Sequence, residues 1–330
     1  MNYFRILINL YGFFVVTYIV LYLFQIRLNL VELLNNIMPI LLLPSIFIFI
    51  ISIKNKNYEV IFWSTFITIF LLSKFGVYFL PINKKCHSNN MSILTHNTAQ
   101  HLSKWENINN LINKYNPNII FLQELEKDKV KKYWNKLLDK YPYQTSFFDD
   151  NKTIGMGILS KYPIVKNENF KLVKESLVFQ QRVEIKIGNQ IFSLYNIHLT
   201  FPWIKKIKDP LFSKFPWLFY DEEIRHKEIE VLLKRIKSDK NPIIMSGDFN
   251  FTDRSFDYQK ISNLLTDNYR KIGYGMGYTW PINSTPSVNI NPAIPIIRID
   301  YIFTSKSLQP CSGEVLKDTG SDHKPLFIKF

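Results

Sequence analysis

Residues 241–255 read NPIIMSGDFNFTDRS. An apolar run, Pro242 to Met245, meets Ser-Gly, and then an acid and an amide stand two apart, Asp248 and Asn250. On an extended chain alternate side chains share a face, so the two would point together from the end of a strand. Gly247 would let the backbone come close to something there. Gly, Asp and Asn are also turn residues for purely local reasons, so this stretch alone leaves two readings open. What decides between them is whether other strands end the same way.

They do. From about residue 88 onward, short apolar segments alternate with charged, helix-like ones. SILTHN (92–97), NIIFLQE (118–124), GMGILS (155–160), QIFSLYNIHLT (190–200), PIIMSG (242–247), RIDYIFTS (298–305) and KPLFIKF (324–330) read as strands. SKWENINNLINKY (103–115) and EEIRHKEIEVLLKRIKS (222–238) carry apolar residues at three- and four-residue spacing, the helical period. Strands mixed with helices argue an α/β or α+β fold with a core large enough for an enzyme. The strands share polar ends: Asn97, Glu124, Asn196 with His198, Asp248 with Asn250, Asp300, and Asp322 with His323 just before the last strand. Binding and catalytic groups gather on strand ends of a rigid scaffold. Six such ends in succession are not all turns. No internal repeat or low-complexity linker interrupts them.

The first quarter is a different material. Residues 6–26 (ILINLYGFFVVTYIVLYLFQI) and 33–53 (LLNNIMPILLLPSIFIFIISI) carry no charge, and 60–82 (VIFWSTFITIFLLSKFGVYFLPI) carries only Lys74. Each is near the roughly 20 residues a helix needs to cross a bilayer, so three transmembrane helices are expected. Their repetition fits a removable signal peptide poorly. Tyr58, Trp63 and Tyr78 suit interfacial positions, and Lys74 either snorkels or ends the third helix early. Arg5 precedes the first run, and Lys54 and Lys56 separate the second and third. That bias puts the N-terminus inside and everything after the third helix outside, with Lys84 and Lys85 running counter to it. Transport is excluded as a reading: three helices leave little room for a pathway, and no acid lies within a span. The expected organisation is an anchor over 1–83 and a catalytic domain over 84–330.

The chain of 330 residues holds 41 Lys+Arg against 27 Asp+Glu, a formal charge of +14. Residues 84–330 keep 36 against 25, which suits polyanions without naming one. Cys86 and Cys311 are too few for a disulfide framework or a four-cysteine zinc site, and form at most one bridge.

In this order, LTHN, FLQE, GILSKYPI, NIHL, SGDFN, RIDYIF and GSDHKPL resemble the endonuclease/exonuclease/phosphatase superfamily. That fold is shared by DNase I-like nucleases, abasic-site endonucleases, inositol polyphosphate phosphatases and neutral sphingomyelinases. The resemblance covers roughly residues 90–330. MGYTWP (276–281), with three helices ahead of the domain, looks like a bacterial membrane-anchored branch. The resemblance implies a four-layer α/β sandwich, two packed sheets flanked by helices, with the site at one sheet end. Glu124 resembles the family's metal-binding glutamate, with Asn97 and Asp322 as companions. Oxygen donors favour Mg²⁺, with Mn²⁺ as a substitute, and no Cys/His cluster suggests zinc. Asp248 resembles the aspartate that orients or deprotonates the attacking water. Asn250 would donate to a phosphate oxygen, as an amide can and a carboxylate cannot. His323 and Asp300 resemble the His–Asp pair, the carboxylate fixing the imidazole tautomer and raising its basicity. His198 would lie on the phosphate as donor or general acid, with Asn196 beside it on the substrate. His96 is assigned to structure, because by strand alternation it faces away from Asn97.

The expected function is a membrane-anchored, divalent-metal-dependent phosphoesterase of the plasma or inner membrane, its catalytic domain on the outer or periplasmic face. Nucleic acid is one expected substrate and a phospholipid or sphingolipid head group the alternative. A catalytically inactive binding module is the distant third. The aromatic and basic stretch 201–223 would stack bases, meet a membrane interface or cover the core as an apolar flap.

Overall fold

The computed structural model of the chain describes residues 2–80, 82, 86, 91–149, 154–202, 220–282 and 294–330. The core of the aromatic and basic stretch, 203–219, lies outside the described residues. The chain divides into two compact units: one of the N-terminal helices with residues 220–222 and Arg254–Phe256, the other of the strands and the remaining helices.

The first unit contains α1 (Asn2–Leu23), α2 (Asn29–Asn36), α3 (Met38–Leu42), α4 (Pro44–Lys54) and α5 (Tyr58–Phe75). The apolar run 33–53 does not form one straight helix. Helical structure stops at Ile37 and again at Leu43, next to Pro39 and Pro44. Proline has no N–H to give the preceding turn, and its ring crowds the carbonyl four residues back. The limbs Asn29–Asn36 and Met38–Lys54 are bent by 86°. Among the described residues two helices, Arg5–Leu23 and Tyr58–Phe79, are long and apolar enough to cross a membrane, and the count rises to three only if the bent pair is one span. The Lys74 ammonium lies 5.4 Å from the centre of the Tyr22 ring and 5.8 Å from that of Phe70, so ring faces receive its charge. Within the same unit Arg254 donates to the carbonyls of Asn35 (3.1 Å) and Asn36 (2.6 Å), at the end of α2 where helix carbonyls lack their own partners. Phe256 stacks on Tyr22 with centroids 5.8 Å apart.

The second unit is built on two six-stranded sheets. Its strands are β1 (Ser92–Asn97), β2 (Ile119–Glu126), β3 (Tyr143–Phe148), β4 (Ile154–Ser160), β5 (Ile164–Phe170), β6 (Gln180–Ile187), β7 (Gln190–His198), β8 (Ile243–Asp248), β9 (Thr266–Asp267), β10 (Asp300–Thr304), β11 (Ser312–Val315) and β12 (Leu326–Lys329). One sheet has the order β11-β12-β1-β2-β4-β3, the other β5-β6-β7-β8-β10-β9. The central pairs β1–β2 and β7–β8 are parallel and the remaining ladders antiparallel. The two inner faces meet over one apolar layer: Ile93, Phe121 and Ile158 from the first sheet, Val183, Leu194, Ile244 and Ile302 from the second. The outer face of the first sheet is covered by α6 (Trp105–Tyr115), whose Ile108 and Ile112 pack with Leu94 and Ile120, and by the region of α7 (Lys127–Tyr133). The outer face of the second is covered by α8 (Glu223–Ser238) and α9 (Phe256–Leu264), through Ile229, Leu232 and Ile261 against Tyr195, Met245 and Phe303. Beyond α9, α10 (Asn268–Ile272) follows β9. α6 and α8 bury apolar stripes, Trp105, Ile108 and Ile112 on the one and Ile229, Leu232, Leu233 and Ile236 on the other. A disulfide joins Cys86, ahead of β1, to Cys311, ahead of β11.

The parallel pairs set the site. β1 and β2 run side by side in one sheet and β7 and β8 in the other, so the C-terminal ends of the four strands carry Asn97, Glu124, His198 and Asp248.

Candidate active site

Gly247 explains itself first. Its φ is +140°, and a Cβ there would lie 1.9 Å from the Ile197 carbonyl oxygen of β7. The backbone approach expected at this glycine is therefore to the neighbouring strand. It keeps β8 in parallel register with β7, with His198 opposite Asp248. Asp248 then does two things. Its Oδ1 accepts the Asn250 backbone N–H at 2.9 Å, so the turn reading of SGDFN is also true. Its Oδ2 accepts from Asn97 Nδ2 at 3.0 Å.

Asn97 binds both acids, since its Nδ2 also donates to Glu124 Oε1 at 3.1 Å. The amide oxygen accepts the Ala99 N–H at 3.0 Å. The side chain thus turns its NH₂ toward the carboxylates and not the oxygen that ligation of a metal requires. Glu124 reaches the cluster through a break in strand alternation. The β2–β4 register shifts between Leu122 and Leu125, and Glu124 has φ +53°. Gln123 points between the sheets, where it donates to Asn196 Oδ1 (2.7 Å). Regular alternation would have turned its neighbour Glu124 to the outer face; the bulge turns it to the sheet end, at the cost of a left-handed backbone. Gln100 donates to Glu124 Oε2 at 3.4 Å.

His198 Nε2 stands 3.6 Å from Glu124 Oε1 and 3.7 Å from Asp248 Oδ2. On the far side, His323 Nδ1 is 2.9 Å from Asp300 Oδ2, and its Nε2 is 3.7 Å from Asp248 Oδ2 and 3.9 Å from Asp322 Oδ1. The second oxygen of Asp300 is buried and has no partner among the described residues. Trp280 Nε1 donates to Asp322 Oδ2 at 3.3 Å. Exposure grades across the group: the side chains of Glu124 (23%), Asp322 (15%) and His198 (12%) face the opening, while Asp248 (2%) and Asp300 (1%) form the floor.

The electrostatics follow from crowding. Burial raises the Asp248 carboxyl to about 6, with Asp300 adding to the rise and His323 and His198 opposing it. Burial also raises Asp322, and the charge of Glu124 adds to it. Burial would raise Glu124 as well, but His198 and Asn97 outweigh it and hold it below its ordinary value. Burial works against a charged His323, yet Asp300 and Asp248 outweigh it and keep the imidazole protonated well above its ordinary range. His96 sits apart, buried, with Nε2 2.7 Å from Thr319 Oγ1, and burial lowers its pKa to about 3.

Beyond Asn97, expected as a metal ligand, two more sequence expectations need correction. Asn196 does not offer its amide to a ligand. It is fully buried, donates to the Leu122 and Gly157 carbonyls at 3.1 Å each, and accepts from Gln123. It therefore ties β7 of one sheet to β2 and β4 of the other. Asn250 lies beyond the end of β8, with φ +52°, so strand alternation does not aim it. Its Nδ2 donates to the Leu199 carbonyl at 2.8 Å, leaving one amide hydrogen. Sequence reasoning also passed over Gln100 and Trp280. Trp280 stands in MGYTWP, but nothing in its local pattern announces a contact with Asp322, 42 residues away.

A sequence profile of the Endonuclease/Exonuclease/phosphatase family matches residues 94–323, from the middle of β1 to His323. The chain belongs to that family. No curated protein sequence matches it. Among solved structures, family members of like fold include the endonuclease/exonuclease/phosphatase of Bacteroides vulgatus (TM-score 0.55, 20% identity, 73% of this chain and 98% of that one). TDP2 of D. rerio, solved with a single-strand DNA product, is similar at TM-score 0.53 and 19% identity over 73% of this chain and 99% of that one. The mannosyl-6-phosphatase Bt3783 of Bacteroides thetaiotaomicron is similar at TM-score 0.51 and 18% identity over 72% and 98%.

Proposed function

We propose that the chain is a membrane-anchored, divalent-metal-dependent phosphoesterase, with the anchor in residues 1–83 and the catalytic domain in 84–330. The observation that carries this is the convergence, in a member of this family, of Asn97, Glu124, His198, Asp248, Asp300, Asp322 and His323 within a few ångströms at the strand ends.

The donor set fits a hard cation. Its atoms are carboxylate oxygens, burial with the charge of a neighbouring acid added raises Asp322 and Asp248, and both cysteines are consumed in a disulfide. Glu124 and Asp322, on the open side, would hold the ion. Asn97 serves better as the donor that holds Glu124 and Asp248 in place than as a ligand. Bound there, Mg²⁺ or Mn²⁺ would polarise a phosphoryl oxygen and offset charge on the leaving oxygen. Asp248, Asp300 and His323 also offer donor atoms within 4.8 Å of one another. The 2.9 Å bond between His323 and Asp300 favours a proton-handling pair at that position.

The chain's own residues do the rest. Asp248 Oδ2 orients the attacking water and accepts its proton. His323, its Nδ1 held by Asp300, presents a charged Nε2 to the charge developing on the phosphoryl oxygens. His198, at the opening, donates to a non-bridging oxygen, and the remaining amide hydrogen of Asn250 does the same. The similar structures include TDP2 complexed with a single-strand DNA product and a mannosyl-6-phosphatase, so the fold alone does not choose among phosphate esters.

We read the bent pair as one broken span. Lys54 and Lys56 then stay inside and the catalytic domain lies outside. A disulfide within that domain agrees, since such bonds persist in oxidising compartments. With two spans the domain would share the side of the N-terminus.

The test is turnover by the purified full chain in detergent on single-stranded DNA, bis(p-nitrophenyl) phosphate and choline phospholipid, with Mg²⁺, Mn²⁺ or EDTA. EDTA-sensitive release of product from at least one is expected. No release from any with either metal overturns the enzyme reading, and full activity in EDTA overturns the metal.

A further inference from the structure

Asp322 stands in the bend 320–323, ahead of β12, so no strand ladder aims its carboxylate. The segment 279–282 lies against that bend. We propose that Trp280 is a positioning residue for the metal: its indole N–H ties down one oxygen of Asp322, so that the other is offered to the ion. The inference rests on the phosphoesterase reading, with Asp322 as a ligand, and adds a residue that acts on the ion only through that carboxylate.

Three hydrogen bonds join the segment to the bend. Trp280 Nε1 donates to Asp322 Oδ2 at 3.3 Å, the Ile282 N–H to the Asp322 carbonyl at 2.9 Å, and the Lys324 N–H to the Thr279 carbonyl at 2.9 Å. The two backbone bonds fix the main chain around Asp322. The indole fixes what remains, the rotation of the carboxylate. An indole N–H donates and never accepts, so it selects a carboxylate oxygen. Asp322 Oδ1 keeps to the side of His323 Nε2, 3.9 Å away. Glu124, the other proposed ligand, is held in the same manner, by Asn97 on one oxygen and Gln100 on the other. Groups that donate to a ligating carboxylate orient it, and losing one typically weakens metal binding by about 10- to 100-fold.

The segment is itself pinned from behind. Arg270 donates from Nη1 to the Gly275 carbonyl (2.9 Å) and from Nη2 to the Met276 carbonyl (2.6 Å), while its Nε binds Asp253 Oδ2 at 2.7 Å. The Tyr269 hydroxyl donates to the Tyr274 carbonyl at 2.6 Å, and a Cβ on Gly277 would lie 2.2 Å from the Tyr269 ring. The stretch 273–277 is thus wrapped on the Tyr269 ring and the Arg270 fork, a geometry that lysine could not supply. Downstream, Trp280 exchanges backbone bonds with Ile297, its N–H donating at 3.0 Å and its carbonyl accepting at 2.9 Å. Thr279 is fully buried and accepts the Ile299 and Asp300 N–H groups at its hydroxyl, at 3.3 and 3.4 Å. These bonds hold the backbone at 280 whatever its side chain. Exchanging the indole for a phenyl ring therefore removes the N–H and leaves the segment in place.

The Trp280 ring centre is also 6.5 Å from that of His323, so contact with substrate is the rival role. The two roles differ in what they change. Positioning alters metal affinity with no substrate present, and a substrate contact alters KM.

The test is Mn²⁺ binding to the full chain in detergent without substrate, followed by the electron paramagnetic resonance signal of free Mn²⁺, beside kcat and KM at saturating metal. Trp280→Phe should raise the Mn²⁺ Kd about tenfold at a little-changed melting temperature. Trp280→Leu, read the same way, serves if the phenyl variant does not fold. Asp322→Asn should weaken binding further, and adding Trp280→Phe to it should cost nothing more, because the two side chains act as a unit. An unchanged Kd in Trp280→Phe, or an equal loss with and without Asp322→Asn, overturns the proposal and leaves the phosphoesterase reading standing. A raised KM at unchanged Kd overturns it as well and makes Trp280 a substrate contact. The expected Kd pattern without turnover of any phosphate ester keeps the positioning role and removes the enzyme reading. No Mn²⁺ binding by the unaltered chain removes the positioning role.

Discussion

Replacing Asp300 by Asn is the sharpest test of the floor of the site. The two side chains are nearly isosteric, and Asp300 is 1% exposed, with one oxygen 2.9 Å from His323 Nδ1 and the other unpartnered among the described residues. The substitution therefore removes a charge without opening a cavity. With charge centres roughly 4 Å apart and an effective dielectric of about 20, the lost attraction is on the order of 4 kcal/mol. Asp248, 3.7 Å from Nε2, still attracts the imidazolium, so not all of this appears as barrier. A fall in kcat of roughly 10²- to 10³-fold follows, at about 1.36 kcal/mol per decade. Asn can also turn its NH₂ toward Nδ1 and select the wrong tautomer. His323→Ala should be impaired to a similar degree, and the double variant should be little worse than either, because residues acting as a unit are not additive. The assay is kcat and melting temperature for the two single variants and the double. Near-normal turnover of Asp300→Asn with a lowered melting temperature would refute the reasoning, as would a double variant whose loss is the product of the two singles.

Four further outcomes are expected. Glu124→Gln should raise the Mg²⁺ concentration needed for half-maximal activity more than any other single change at the opening, read from a metal titration. A reporter fused after Phe330 should be active only outside the cytoplasm; cytoplasmic activity would mean that the bent pair does not cross. Asn196→Ala should leave two carbonyls and Gln123 without their partner, at about 1–3 kcal/mol per buried group, and lower the melting temperature while KM stays put. Asp239 accepts from Arg182, Tyr195 and Ser193, and although burial pushes its carboxyl up, those donors outweigh it and hold it below the ordinary value. Its stabilisation is therefore complete above about pH 4 and is lost as pH falls through the folded pKa, so Asp239→Asn should flatten the acid limb of the melting curve and cost on the order of 3 kcal/mol at pH 7.

The parts of this fold legible in the sequence are those whose signal is local. The inner strands β1, β2, β7, β8, β10 and β12 read as apolar runs because neighbours cover both faces, and α6 and α8 read from their spacing. The edge strands β3 and β5 did not: YQTSFF and IVKNENF are half-exposed, and their polar faces blur the pattern. The same divide runs through the site. Asp248, His198, Asp300 and His323 stand at the ends of readable segments. The bulge that aims Glu124 is a backbone event with no residue signature, and the occupation of Asn196 depends on carbonyls 39 and 74 residues away. The break in the second apolar run was written in Pro39 and Pro44, but composition weighed apolar length above those two residues.

Five residues separate Asp248 from Arg254, and over that distance the chain passes from the unit that holds β8 to the one that holds the N-terminal helices. The proposed anchor is thus not a removable leash. A soluble fragment begun at residue 84 would keep Arg254 and Phe256 while discarding the Asn35 and Asn36 carbonyls and the Tyr22 ring that receive them. A guanidinium and a phenyl ring would lose those neighbours a few residues downstream of Asp248. For whoever tests the proposed activity, the full chain is the species to assay, because a silent fragment would speak about the cut and not about the chemistry.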